Sequence, residues 1–265
     1  MEIDDILAEV LESKKYGRVD ASVARRICAD AARKHPKKRD AVKAAKNALH
    51  VIHGSFLGQD CHRKALALVA QCAPGFDRAQ MESNAEQILR LHMSTNERVG
   101  DIRAICSFLG ESITGNSAVM DIGCGFSPFA LPFLPELPRE YIAYDISADT
   151  VDLLNAYFAR AGFASYRAEI LDAVATTPDR AVDVVLLFKI LPLLHQQKKG
   201  RGFDLLNALR FKTAIVSFPL KSLTDKQKGM GPFYTSWMEK NLPPALSIVD
   251  KRSFSNEMFF LVERV

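Results

Sequence analysis

Three acidic residues in the middle of the chain stand where short apolar runs end. Asp121 opens Asp121-Ile122-Gly123-Cys124-Gly125, Asp145 follows Gly125 by 20 residues in YIAYDIS, and Asp172 closes AEILDA. Glycines at 123 and 125 let a backbone approach a ligand with no Cβ in the way. A carboxylate at the end of the next strand can accept both hydroxyls of a ribose. A Gly-x-Gly turn by itself is as readily a tight connection. Three such sites at consecutive strand ends point instead to a nucleoside-containing cofactor. Cys124 has no histidine near it in sequence, so it reads as a small loop residue rather than a nucleophile.

To act together these groups must lie at strand ends of one sheet. Apolar runs at Ala118–Ile122, Tyr141–Ile146, Tyr166–Ile170, Val182–Phe188 and Ala214–Phe218 alternate with helical stretches. Ser247–Lys251 and Glu257–Glu263 follow with no helix between them. The pattern predicts an α/β doubly wound sheet of β-α units with an antiparallel C-terminal hairpin. In such a sheet, ligands bind beyond the carboxyl ends of the strands, near the switch in strand order. No strand pattern precedes residue 117. Ile3, Ile6, Leu7, Val10 and Leu11 recur at helical spacing. Ser22 is placed to cap a helix bearing Val23, Ile27 and Ala31, and Asp40 one bearing Val42, Ala45, Leu49 and Ile52. Further helices are predicted over 62–72 and 77–91. Residues 1–90 read as a small helical domain and 91–265 as the sheet domain. Ser94-Thr95-Asn96-Glu97 reads as a capping box opening a helix with Val99, Ile102, Ile105 and Leu109 on one face.

A dinucleotide fold would carry a third glycine at position 128, where a helix N-terminus meets a pyrophosphate. Pro128 stands there instead. The Asp-x-Gly-x-Gly arrangement resembles the S-adenosylmethionine loop of Rossmann-like methyltransferases, whose cofactor has no phosphate to cradle. The antiparallel ending is also the pattern of that sheet. In such enzymes an acid at the position of Asp172 commonly accepts a hydrogen bond from the adenine amino group. After the fourth strand, amine-methylating enzymes usually carry an Asn/Asp-Pro-Pro-aromatic motif, and pyrimidine-carbon enzymes a Pro-Cys or Thr-Cys pair. This chain has LLFKILPLL. A nucleophile with a free lone pair and no proton to lose, such as guanine N7, needs neither device. Direct attack on the sulfonium methyl then depends on in-line positioning, without a general base. Lys189 at this strand end is a positioning candidate, or a lysine snorkelling from a strand terminus.

The 265 residues are 48% hydrophobic and 25% charged, an ordinary globular composition. The longest apolar run, Val184–Leu194, is broken by Lys189 and Pro192 and is too short to cross a bilayer. The first dozen residues are acidic and amphipathic, unlike a signal or transit peptide. Cysteines 28, 61, 72, 106 and 124 form no Cys-x-x-Cys pair, so we expect reduced thiols, no metal and a cytoplasmic protein. The net charge of +4 is unevenly spread. Lys14 to Lys64 holds 14 Lys/Arg against four Asp, about +10. Such a block is either a solvated helical face or the footprint of a nucleic-acid binder.

Nearly end to end, the chain resembles the aminoglycoside-resistance 16S rRNA (guanine-N7) methyltransferases. The matching stretches are SKKY (13–16), VARRI (23–27), LHVIHGSF (49–56), LHMSTNER (91–98), DIGCGFSP (121–128), LLFKILPLL (186–194), SFPLKSL (217–223), KGM (228–230) and NEMFFLV (256–262). Phe126-Ser127 departs from the Leu-Asn more usual in that loop. The resemblance implies that Arg98 meets the carboxylate of the cofactor's methionine. Gly123 and Gly125 would line the methionine and ribose side, Asp145 with Ile146 beside it would hold the ribose, and Asp172 the adenine. The implied substrate is a decoding-site guanine of 16S rRNA within the assembled 30S subunit. Its N7 faces a deep, narrow A-form groove, so the base would have to be turned out. The basic N-terminal domain would grip the rRNA backbone, with Lys15, Arg25, Arg26, Lys46, Arg63 and Lys64 as candidates. The loop 221–232 would add Lys221, Lys226 and Lys228 on phosphates and Met230 beside the displaced base. A methylated, positively charged N7 would repel kanamycin- and gentamicin-type drugs.

Three other readings compete. A methyltransferase acting on another RNA site or a small molecule would have a lid with an apolar inner surface. An rRNA-binding protein with a vestigial pocket would bind the subunit without the cofactor. An NAD-dependent oxidoreductase is disfavoured by Pro128.

Overall fold

Helix-forming residues dominate the first hundred positions, and they build two separate groupings. The computed structural model describes residues 2–54, 56–57, 60–75, 77–220 and 230–265. Helices α1 (Ile3–Leu11), α2 (Ala21–Lys34) and α3 (Lys38–Leu49) bury Ile6, Val10, Val23, Ile27, Val42 and Leu49 against one another. The end of α3 widens into a π-helical turn, His50–Gly54. Helices α4 (Cys61–Gln71) and α5 (Arg78–Leu89) turn the other way and share the core of the sheet through Ala65, Val69, Met81 and Ile88. A short helix α6 (Met93–Asn96), a 3-10 turn and helix α7 (Ile102–Leu109) lead into the sheet.

Several caps differ from expectation. Helix α2 is capped by Asp20, whose carboxylate accepts from the backbone N–H of Ser22 at 2.9 Å and of Val23 at 3.4 Å. Ser22 itself lies in the first turn. The chain is committed to the helix before Ser22 because the Asp20 N–H donates to the Ile146 carbonyl and Val19 bridges to Ser147. Helix α3 begins at Lys38, so Asp40 is a first-turn residue that favours the helix dipole rather than a cap. The capping box at Ser94 does not form: α6 starts after His92, and Glu97 turns to Lys189. Thr95 donates instead to the Leu89 carbonyl at 2.6 Å.

The strands follow: β1 (Ala118–Ile122), β2 (Glu140–Asp145), β3 (Tyr166–Ile170), β4 (Val184–Phe188), β5 (Thr213–Pro219), β6 (Leu246–Ser253) and β7 (Glu257–Arg264). They form one sheet in the order β3-β2-β1-β4-β5-β7-β6. The first five are parallel, β7 runs antiparallel to β5, and β6 to β7 with a register shift between Ile248 and Asp250. Every residue of β1 and β4 is buried, as central parallel strands covered on both faces must be. The strand order reverses between β1 and β4, which places the loop after β1 at the switch point.

Two crossovers are not the expected α-helices. Pro128 and Pro132 each lack an N–H, and the β1–β2 crossover is a 3-10 helix, Ser127–Phe133. The β3–β4 connection contains turns but no helix. Helix α8 (Ala148–Ala161) joins β2 to β3, capped by Ser147 and stopped by Gly162 at φ +75°. Helices α9 (Ile190–Gln197) and α10 (Arg201–Ala208) join β4 to β5, and α11 (Met230–Asn241) precedes β6. No helix among the described residues is long and apolar enough to cross a membrane. The cap assignment gives a direct test. Asp20→Ala should destabilise the chain by about 1 kcal/mol in urea unfolding, and Ser22→Ala by clearly less.

Candidate cofactor and active site

The loop leaving β1 is held by its neighbour β2. Gly123 and Cys124 both donate their N–H to the Tyr144 carbonyl, at 2.8 and 3.0 Å. Gly125 donates to Asp145 Oδ2 at 3.0 Å, and Ser147 to Asp145 Oδ1 at 2.9 Å. Both glycines have positive φ, +68° and +50°. A Cβ at 123 would fall 2.3 Å from Ile190 Cδ1, and one at 125 would fall 3.2 Å from His92 Cε1. Glycine is thus required at 123 by conformation and by space. Burial pushes the Asp145 carboxyl above its usual range, while the backbone donors pull against that shift.

Asp172 lies one strand further along. Its Oδ1 accepts from the Val174 N–H at 2.9 Å, and its two oxygens take a forked pair from Arg26 at 2.6 and 3.1 Å. Gly123, Gly125, Asp145, Ile146, Asp172 and Lys189 open on one cleft of about 860 Å³, including its mouth. The opposite wall comes from the N-terminal helices: Val23, Arg26, Ile52, His53, Phe56 and Leu57.

Beside the cleft is a buried ionic network that the sequence reading missed. Glu257, 1% exposed, accepts from Arg98 Nε at 2.7 Å and Nη2 at 2.8 Å. It also accepts from Ser217 Oγ and lies 3.1 Å from Lys189 Nζ. Lys189 Nζ donates to Glu97 at 2.6 Å, and Arg98 Nη1 to Ser127 Oγ at 2.9 Å. Burial pushes the Glu257 carboxyl up, but the Arg98 and Lys189 charges and the Arg98 and Ser217 hydrogen bonds outweigh it, and its pKa falls below 4.5. Lys189 is therefore no snorkelling terminus. Its backbone is left-handed, φ +58°, a strained state for a lysine that neighbouring structure must impose.

Three histidines, dispersed in sequence, gather at the same end. His92 packs between Phe56 and Phe126, with ring centroids 6.0 and 5.1 Å away, and its Nδ1 has no partner. His62 meets Thr150 Oγ1 at 3.0 Å. Burial lowers the pKa of His53 to about 4 and of His92 to about 3, and it lowers that of His62 as well.

Of the residues picked from sequence, Gly123, Gly125, Asp145, Ile146, Asp172 and Lys189 come together. Arg98 does not line that cleft; it faces an adjoining apolar cavity with Ile102, Cys106, Leu186 and Phe188. Arg26, chosen as an RNA contact, is instead on Asp172. Arg25, next to it, points elsewhere and pairs with Asp4 on the surface. Lys15 donates to His50, Arg63 pairs with Asp60, Lys64 is exposed and Lys46 is half-buried. Met230 begins α11, whereas Lys221, Lys226 and Lys228 lie outside the described residues.

The chain is similar along its whole length to known rRNA methyltransferases. A 16S rRNA (guanine(1405)-N(7))-methyltransferase of Serratia marcescens is 30% identical over 264 residues, covering 100% of this chain and 99% of its own. One of Frankia casuarinae is 29% identical, covering 99% and 94%. The crystal structure of the 16S rRNA methyltransferase RmtF in complex with S-adenosyl-L-homocysteine superposes with a TM-score of 0.90 at 32% identity, covering 100% of both chains. That of the 16S rRNA methylase RmtB gives 0.83 at 27%, covering 100% and 99%. Sheet and cleft define the fold class of the S-adenosylmethionine-dependent methyltransferases. Residues 12–262 match the model of the family described as Ribosomal RNA methyltransferase (FmrO), and the chain belongs to that family.

Two outcomes follow from the buried charges. Glu257→Gln leaves Arg98 and Lys189 short of a counter-charge and should cost about 3–5 kcal/mol in urea unfolding, with the effect fading as the pH drops below the carboxylate range. The histidines act in a higher window. His92 has a pKa of about 3 when folded against 6.5 for the free side chain, so the unfolded chain binds the extra proton. The stability this confers is complete above pH 6.5 and is lost as the pH falls towards 3. His92→Gln should therefore lose less stability than the parent between those limits.

Proposed function

We propose that this chain transfers the methyl group of S-adenosylmethionine to N7 of a 16S rRNA guanine within the 30S subunit, the position its relatives' names number 1405. The observation that carries this reading is the convergence of the glycine loop, Asp145 and Asp172 on one cleft at the switch point, in a chain of this family. The residues present fit the cofactor. Gly123 and Gly125 turn the loop through positive φ and put no Cβ on the cleft that they line. Asp145 has its two oxygens oriented by backbone N–H groups of Gly125 and Ser147, at a strand end where a carboxylate would accept ribose hydroxyls. Asp172 would take the adenine amino group. Arg98 uses three of its five N–H donors on Glu257 and Ser127 and faces the adjoining cavity, so its part in holding a methionine carboxylate rests on the family resemblance.

When bound, the cofactor supplies a methyl group activated by a sulfonium. Guanine N7 brings a lone pair and no proton, so the chain needs no general base there. Its duties are to hold the base in line and to exclude water. Lys189 and Glu97, at the rim between cleft and network, are placed to orient the target. Met230 and the lysines before it are proposed for the RNA side, with Lys15, Arg25, Lys46, Arg63 and Lys64. The methylated guanine would then exclude kanamycin- and gentamicin-type aminoglycosides through charge and bulk.

The apolar wall of Val23, Ile52 and Leu57 is also what a small-molecule methyltransferase would place over its pocket. Family membership and the basic outer face favour RNA. The two part in one experiment: labelled S-adenosylmethionine is offered with 30S subunits, naked 16S rRNA and 50S subunits. We expect label on 30S alone, with chain scission specific for N7-methylguanine at a single decoding-site position. Label on naked RNA alone, or scission elsewhere, would overturn the reading.

A further inference from the structure

Two adjacent arginines on α2 have different fates. Arg25 is exposed and meets Asp4 within the N-terminal grouping. Arg26 crosses to the sheet and is largely buried, its side chain 22% exposed against 7% for Asp172. Its guanidinium donates through Nε to Asp172 Oδ2 at 2.6 Å and through Nη2 to Oδ1 at 3.1 Å. Nη2 also donates to the side-chain oxygen of Gln197, at the end of α9, at 2.9 Å. A forked pair of this kind fixes the plane of a carboxylate as well as its charge.

The lone pairs on Asp172 are then nearly all assigned. Oδ1 accepts from Arg26 and from the Val174 N–H, which fills it, while Oδ2 accepts from Arg26 alone. One acceptor site is left, on Oδ2, on a carboxylate that lines the cleft. The N-terminal grouping is itself anchored at the neighbouring strand end. Asp20 donates to the Ile146 carbonyl, and the Ala148 N–H donates back to the Arg18 carbonyl at 2.8 Å.

We propose that Arg26 is a positioning residue for the cofactor: the N-terminal helices supply the group that orients Asp172, so that its one free lone pair selects an amino-bearing purine. The inference rests on the reading of the cleft as the S-adenosylmethionine site. It moves Arg26 from the RNA face to the cofactor site. It also makes the helical grouping part of the cofactor site, since Arg26, Val23 and Ile52 close the cleft from that side.

The test uses the full chain without RNA and two probes, S-adenosylhomocysteine and its inosine analogue, which has no amino group to donate. Binding is measured by calorimetry for the parent, Arg26→Ala, Arg26→Lys, Asp172→Asn and the Arg26→Ala/Asp172→Asn pair. We expect Arg26→Ala to weaken S-adenosylhomocysteine by about tenfold or more, the scale of one charge-assisted hydrogen bond. It should leave the inosine analogue nearly unchanged, so that the preference for adenine collapses. Arg26→Lys keeps the charge but not the fork and should recover part of the preference. In the double variant the arginine change should add little to Asp172→Asn, because both act through one contact. With 30S as substrate, KM for the cofactor should rise while kcat at saturation changes by less than about twofold, the mark of lost ground-state binding.

An equal loss for both probes would make Arg26 merely structural. Undiminished cofactor affinity with weakened 30S binding would return it to the RNA face. Either result overturns the inference while leaving the cofactor site intact. If the parent binds neither probe, or Asp172→Asn changes nothing, the reading of the cleft itself fails and the inference with it.

Discussion

A single buried carboxylate braces the functional end of the sheet. Glu257 starts the last strand, and it holds Arg98 from the segment before α7, Lys189 from the end of β4 and Ser217 from β5. Through Arg98 and Ser127 it reaches the loop after β1, and through Lys189 it reaches Glu97. A charge at 1% exposure is tolerable only when its partners are fixed in place. The antiparallel return of β7 beside β5 is what brings Glu257 there. The C-terminal hairpin, otherwise remote in sequence from the glycine loop, thus determines where the cations around the cleft stand.

The imidazoles complement this arrangement. His53, His62 and His92 are held neutral by burial, beside the loop proposed to hold a cofactor that carries a positive sulfonium. Protonated rings there would oppose that charge; neutral ones supply shape without repulsion. Phe126 explains its departure from the loop composition usual in the family. It is fully buried against His62, His92 and Phe129, so the aromatic ring joins the loop to the histidine cluster.

The strands and the antiparallel C-terminal hairpin were legible because buried parallel strands are runs of branched and aromatic residues with little ambiguity of length. The three strand-end groups were legible for the same reason: finding the strands finds their ends. Helix starts were not. Asp20 caps α2 because a bridge to Ser147 holds it, and Ser147 is remote in sequence. The Ser94 motif has the composition of a capping box, yet Glu97 is drawn to Lys189. Glu257 only opens an apolar run, with its partners far off in sequence, and the histidines are 9 and 30 residues apart. Arg26 was read by its charge, whereas its role depends on which face of α2 meets the sheet. In each case the missing information was a long-range contact, which no local pattern encodes.

The sheet also has two free margins, β3 and β6. A bare strand margin invites another chain to pair with it. Here β6 is irregular between Ile248 and Asp250 and then presents Asp250, Lys251 and Arg252, with Arg252 tied to Glu111. On the far side β3 carries Arg167 and Glu169, paired with each other. The kink in β6 and the fixed charges at both margins make strand-to-strand aggregation unfavourable. An open seven-stranded sheet thus keeps its two margins from pairing with those of other copies.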